Sequence, residues 1–379
     1  MHKFLVAAIV LLLIGPALAD GTVSTERPGE AEFRAGWVAL AAPREGQPNQ
    51  SALQARQEAL LAATPHFEAA VAASPDDADY RTALVYADLA AGKYQQASDA
   101  VSAAIERKKD SPLLYLLRAQ AEAALAHMDP DTTSDKAEKV IQSFEDAAHL
   151  DPTNSLYALQ AASVAFDAGR PDLAQKKIEE ALQLPGITLY RLPIPGDLDP
   201  DRTTSIQMWQ HVQMWQWSEL LARCHNAART IAKLATEKAD GGDLGNAEAL
   251  FKQVLEIGRQ MGNARPNLFI SINSALNVME ESYVGLARVA NARQDPEEQR
   301  WIGEAGVVGI GRQELFGALQ RYIKLIDQAP PASIDDLLGE EAEHVARTMR
   351  GVSLSPTAET KPIGKSKQEQ QEEEGPPPE

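Results

Sequence analysis

Residues 151–185 read DPTNSLYALQAASVAFDAGRPDLAQKKIEEALQLP. The stretch holds two apolar runs at helical spacing with a single glycine between them. The first run is Leu156, Leu159, Ala162 and Phe166; the second is Leu173, Ala174, Ile178, Ala181 and Leu182. Side chains three and four positions apart share one face of a helix. The stretch therefore predicts two short antiparallel helices reversing at Gly169, where a left-handed backbone is tolerated because there is no Cβ. Helices this short gain most of their stability from packing, so the unit needs neighbours like itself. That requirement sets the fold class as all-α.

The neighbours are legible from the breakers. Pro75, Pro112, Pro152 and Pro185 are spaced by 37, 40 and 33 residues, and a recurring period in this range marks stacked helix pairs. With these residues in register the chain resembles the tetratricopeptide repeat, a unit of 34 residues. That family prefers a small residue at position 8, Gly at 15, Ala at 20, a large apolar residue at 24, Ala at 27 and Pro at 32. With Ser155 first, Ala162, Gly169, Ala174, Ile178 and Ala181 take the first five of those places, and Pro185 falls one residue early. With Ala78 first, Val85, Gly92, Ala97, Val101 and Ala104 take them. Phe144, Ala147 and Pro152 fit positions 24, 27 and 32 of the unit between. Its excess of about six residues over the 34-residue period is placed in the loop around Asp129–Thr133. Ala63, Phe67, Ala70 and Pro75 fit the second helix of an earlier unit, and Gly242, Ala247 and Phe251 fit a diverged fourth. The family's aromatic at position 4 is absent, Tyr80 and Tyr157 standing at position 3 instead, and Asp88 and Ala165 replace the tyrosine at position 11.

The resemblance implies a helix-pair solenoid whose first helices line a concave groove. Its lining positions here are Asp79, Thr82, Tyr86, Leu89 and Ala90, then Leu156, Leu159, Ser163, Phe166 and Asp167. That surface is apolar and mildly acidic, without the Lys and Arg clamp that holds a peptide carboxylate. It suits an extended or helical apolar segment of a protein partner.

The flanks differ in character. Residues 1–19, MHKFLVAAIVLLLIGPALA, place Lys3 before an apolar run broken by Gly15-Pro16 and followed by Ala17-Leu18-Ala19. This is the layout of a secretory signal peptide, with an uncleaved anchor as the alternative. Cleavage leaves no membrane span and predicts a mature chain from Asp20 in the periplasm or cell envelope. Residues 20–50 read as a linker or docking segment around Phe33, Trp37, Val38 and Leu40. The repeat-like region occupies 51–190 and a Pro/Gly-rich connection 191–204. Residues 205–351 form a second helical region with longer helices, and the polar tail 352–379 has the composition of a disordered segment.

Within the second region, residues 205–239 contain neither Gly nor Pro and predict one long helix or a bend near His225-Asn226. Asp295-Pro296-Glu297-Glu298 starts another helix. Gly303, Gly306, Gly309 and Gly311 are expected to weaken or interrupt it, either by close helix contact or by splitting it from a helix over 313–328. Ser333 caps a last helix over 334–350.

The net charge of -18 argues against nucleic acid, which demands clustered Lys and Arg. The single cysteine, Cys224, excludes an internal disulfide and cysteine zinc clusters, and reads as a small buried hydrophobe. No metalloprotease, nucleophile-elbow, P-loop or EF-hand motif occurs, so no catalytic residue, metal or cofactor is assigned. His211 and His225 lie almost four turns apart on one helix and cannot share a metal. The unusual local feature is IQMWQHVQMWQW, residues 206–217, with Trp209, Trp215 and Trp217. These fill the core of the second half or form a binding surface for a peptide, partner or glycan.

The reading is an exported protein–protein interaction module, a scaffold or assembly factor of the cell envelope. The alternatives are a helical hydrolase or lyase, or a glycan-binding module, with a Trp-lined cleft in 205–350. The register carries its own test. Ala174→Leu is expected to overpack the helix crossing and cost about 1–3 kcal/mol; a variant that melts with the wild type refutes the register.

Overall fold

A computed structural model describes residues 27–41, 52–128, 134–195, 214–264 and 269–328. Among the described residues are twelve helices and no strand. They are α1 (Glu30–Ala41), α2 (Ala52–Ala73), α3 (Ala78–Ala90), α4 (Tyr94–Arg107), α5 (Pro112–Met128) and α6 (Ser134–Leu150). After them come α7 (Leu156–Asp167), α8 (Pro171–Leu182), α9 (Met214–Asp240), α10 (Leu244–Gly262), α11 (Phe269–Ala292) and α12 (Glu297–Gln328). The chain is all-α. The expected signal segment, Trp209, the loop at 129–133, the helix over 334–350 and the tail lie outside the described residues. No described helix is long and apolar enough to cross a membrane.

Each helix from α1 to α7 packs on its successor, and so does each from α9 to α11. The two series join where α9 lies on α7 and α10 reaches α8. Helices α3 and α5 also touch. The side on which α3 touches α5 and α9 lies on α7 is called here the inner face.

One turn, used four times, sets this arrangement. After α3, α7 and α9 the chain reverses on Gly92, Gly169 and Gly242, with φ of 77°, 69° and 83°. At each, the glycine N–H donates three residues back and the next N–H donates five back. The pairs are Gly92 to Leu89 with Lys93 to Asp88, Gly169 to Phe166 with Arg170 to Ala165, and Gly242 to Ala239 with Asp243 to Lys238. This left-handed cap satisfies the orphan carbonyls of a helix end. The fourth copy closes α11: Gln294 donates to Asn291 and Asp295 to Ala290, and Gln294 stands at φ 57° without being glycine.

Past each turn a small residue meets a large one. Ala97, Ala174 and Ala247 are wholly buried, as are Val101 and Ile178 one turn on, and Phe251 is 2% exposed. The fit is tight where the small residue is glycine. A Cβ on Gly285 would stand 2.2 Å from the Phe251 ring, and one on Gly36 would stand 2.5 Å from Phe67.

Two open alternatives are decided, for docking at residues 30–41 and for one long helix at α9, and one expectation, at α12, changes. Residues 30–41 are a helix, docked on α2 through Phe33, Trp37 and Leu40, with Val38 facing out. Arg27 ties its start to α3 by ion pairs with Glu30 at 2.8 Å and Asp77 at 3.1 Å. Second, α9 runs unbroken through His225-Asn226. Third, α12 is a single helix through all four glycines. A Cβ on Gly303 or Gly306 would meet nothing within 4 Å, so close helix contact does not explain them. The helix persists because Val308 and Leu315 bury against its neighbours and no glycine removes a backbone hydrogen bond.

Gln294 pays the left-handed penalty that its three counterparts avoid. Gln294→Gly is expected to stabilise the protein by about 1 kcal/mol, read as a rise of about 2–4 °C in Tm. A fall in Tm would contradict this account of the turn.

Candidate binding cleft on the inner face

The inner face already holds an extended segment of the chain itself. After α8, residues 185–195 run along this face, with Ile187, Leu189 and Leu192 buried and Thr188 and Arg191 exposed. Prolines at 185, 193 and 195 keep the segment out of a helix. Ile187 and Leu189 join the core of α5–α12, whereas Leu192 packs among Phe33, Trp37, Leu60 and Tyr86 at the other end of the stack.

Extended backbone outside a sheet must find its hydrogen bonds elsewhere. Asn154 supplies them. Its Oδ1 accepts from the Thr188 N–H at 2.9 Å and its Nδ2 donates to the Thr188 carbonyl at 2.8 Å. Oδ1 also accepts from the Leu156 N–H at 3.1 Å, at the start of α7. The Ser155 N–H donates to Gly186 O at 2.9 Å. Tyr190 donates its hydroxyl to Asp151, and burial with that carboxylate pushes its phenol up to about 12.

Helix α9 closes over this arrangement. Trp217 is 2% exposed and donates Nε1–H to Tyr190 O at 3.0 Å. Gln160 of α7 donates Nε2–H to Leu220 O of α9 at 2.7 Å. The expected open groove is therefore corrected. Leu156 and Leu159 have no exposure at all because α9 covers them, and Phe166 is half-buried. Trp217 is a core residue, which removes it from a glycan platform. Trp209 and the Trp215 side chain lie outside the described residues. The repeat positions Val101, Ala104, Phe144, Ala147, Ala174, Ile178 and Ala181 are all fully buried.

Tyr86 and Leu89 have a different fate. They line a cleft of about 90 Å³ between α3, α5 and the N-terminal half of α9. Leu89, Ala90, Leu117 and Ala124 make its apolar walls. Gln120 of α5 and Gln216 of α9 line it with side-chain amides, and Arg56, Glu219 and Arg223 bring charge. Gln216 is 4% exposed, and neither its amide nitrogen nor its amide oxygen has a hydrogen-bond partner. Burial pushes the Tyr86 phenol up to about 12 and Glu219 pushes the same way, while Arg56, its hydrogen-bond partner, pulls it down. The phenol is therefore neutral at physiological pH. Arg223 also faces Asp167, whose carboxyl is held above its ordinary range by burial, against the pull of Arg223 and His127.

Two guanidinium groups thus stand on a surface read from the sequence as lacking them. Arg56 comes from α2 and Arg223 from α9, neither at a lining position of the repeat. No periodic signal in the sequence brings them together; only the return of α9 does. Cys224 is fully buried and burial pushes its thiol up to about 12, so it is an inert packing residue. Among the described residues no group of three or more His, Cys, Asp or Glu side chains is placed to hold a metal ion. The arrangement is suited to holding polypeptide through amides and apolar walls.

Comparison of the sequence with protein-family models and with curated proteins gives no match.

Asn154 is the residue on which the extended segment hangs. Asn154→Ala removes three hydrogen bonds and is expected to cost about 1–3 kcal/mol in urea unfolding. Unfolding at the wild-type midpoint would show that Asn154 does not hold the segment.

Proposed function

We propose that this chain is an exported protein–protein interaction module, a scaffold or assembly factor of the cell envelope, built from tetratricopeptide-like helix pairs. Its inner face takes up extended polypeptide. The observation carrying this reading is the bidentate grip of Asn154 on the Thr188 peptide unit, with Ile187, Leu189 and Leu192 buried beside it. That is main-chain recognition by a side-chain amide, with apolar side chains of the held segment buried beside it, and main-chain bonds with side-chain pockets are a general way to hold extended peptide. The paired turns at Gly92, Gly169 and Gly242 and the buried alanines after them support the stacked-pair architecture. The composition of residues 1–19 supports export.

The surface is acidic overall, with 54 Asp and Glu against 36 Lys and Arg, which keeps the chain soluble and steers it from nucleic acid. Arg56 and Arg223 make the cleft a local exception.

Cross-linking of the full chain in intact cells, followed by affinity capture and mapping of the linked peptides, tests the reading. The expected result is a partner protein linked to α3, α5 or α9. Cross-links confined to the outer helices α4, α6 and α8, or to the chain itself, would contradict it.

A further inference from the structure

Three buried side-chain amides, those of Asn154, Gln160 and Gln260, engage backbone. Asn154 holds the peptide unit of Thr188. Gln160 donates to the Leu220 carbonyl. Gln260 donates to the carbonyls of Ala181 at 3.2 Å and Leu184 at 3.3 Å. Among the described residues, Gln216 alone has both ends of its amide buried and unpartnered, and it lines the cleft. A buried amide without partners is costly, and native proteins keep few of them. Gln120 lines the same cleft from α5 and is itself 8% exposed.

We infer that this cleft is a receiving site for one extended peptide segment of a partner protein, held by its main chain on Gln216 and Gln120. The inference rests on the proposed interaction function and names the chemistry of the occupant. Gln216 offers amide N–H donors and a carbonyl acceptor, the complement of the backbone C=O and N–H of one extended residue. Asn154 provides the precedent for that pairing within the same molecule. Leu89, Ala90, Leu117 and Ala124 form walls of small and aliphatic side chains, which suit an aliphatic side chain of the inserted segment. Arg56 and Arg223 outnumber Glu219 at the rim, so an acidic residue beside the aliphatic one is favoured. A guanidinium is suited to bidentate carboxylate recognition. The site therefore selects an extended segment with an aliphatic residue next to Asp or Glu.

The test pans a random dodecapeptide phage library on the immobilised full-length protein. Enriched peptides are then titrated by fluorescence anisotropy against wild type, Gln216→Leu, Arg223→Glu and, as a control at an exposed position outside the cleft lining, Val284→Ser. Enriched sequences are expected to pair an aliphatic with an acidic residue. Gln216→Leu is expected to weaken them by about tenfold or more, a loss of about 1.4 kcal/mol, while its Tm stays level or rises because an unpaired buried amide is removed. A purely structural Gln216 would instead lower Tm. Arg223→Glu, at the rim, is expected to weaken acidic peptides and spare their neutral amide analogues, and this variant decides the matter if Gln216→Leu folds poorly. Val284→Ser should bind as wild type. The inference is overturned if no peptide is enriched, if enriched peptides bind all variants equally, or if free leucine or glutamate at millimolar concentration displaces them and reassigns the cleft to a small molecule. A partner cross-linked in cells as strongly to Gln216→Leu as to wild type would remove this inference and leave the interaction function standing.

Discussion

The grip of Asn154 on the peptide unit of Thr188 is the contact on which the whole molecule turns. A helical stack can run on indefinitely, since each pair needs only the next. Here the chain leaves the helix packing after α8, and residues 185–195 run extended beside it. An extended segment in that interval carries N–H and C=O groups that no helix satisfies. One asparagine at the mouth of α7 accepts from Thr188, donates to Thr188 and accepts from Leu156. It thereby fixes the course of the segment and the start of the helix beneath it. With the course fixed, Leu192 reaches the aromatic cluster of α1–α3, Tyr190 presents its carbonyl to Trp217, and α9 lands on α7.

The architecture separates two tasks. Reversal is assigned to a backbone conformation: a left-handed residue closes α3, α7, α9 and α11 with the same pair of hydrogen bonds. Cohesion is assigned to size complementarity, an alanine or glycine beneath a large side chain. The ring of Phe251 rests on Gly285, and that of Phe67 on Gly36. Neither task involves the side-chain amides of Asn154, Gln160 and Gln260, which bond backbone instead.

Local rules made the periodic part legible. Glycine at a helix end and alanine at a crossing are demanded by sterics at single positions, so Gly92, Gly169, Ala97 and Ala174 announce themselves in the sequence. What depended on tertiary return did not. Gln294 performs the glycine role without the glycine. Helix α1 precedes the regular spacing, and its Phe33 and Trp37 read as an isolated patch until Phe67 and Tyr80 close around them at ring distances of 4.6–6.1 Å. Leu156 and Leu159 occupy groove positions by register, yet α9 buries them. Arg56 and Arg223 meet beside Tyr86 from helices far apart in the chain, so a groove read from one helix series alone lacked its cations. The glycines of α12 misled in the other direction, because a per-residue propensity is small beside the packing of a long helix.

Backbone hydrogen exchange of the native full-length protein measures the central contact most directly. Protection reports the free energy of the opening that exposes each amide. If the extended segment is an integral part of the fold, the amides of Thr188 and Ser155 exchange only with the opening that releases Ala174 in α8, and at a similar free energy. Exchange of Thr188 and Ser155 at unprotected rates, while α7 and α8 stay protected, would contradict the account and return the inner face to an open groove.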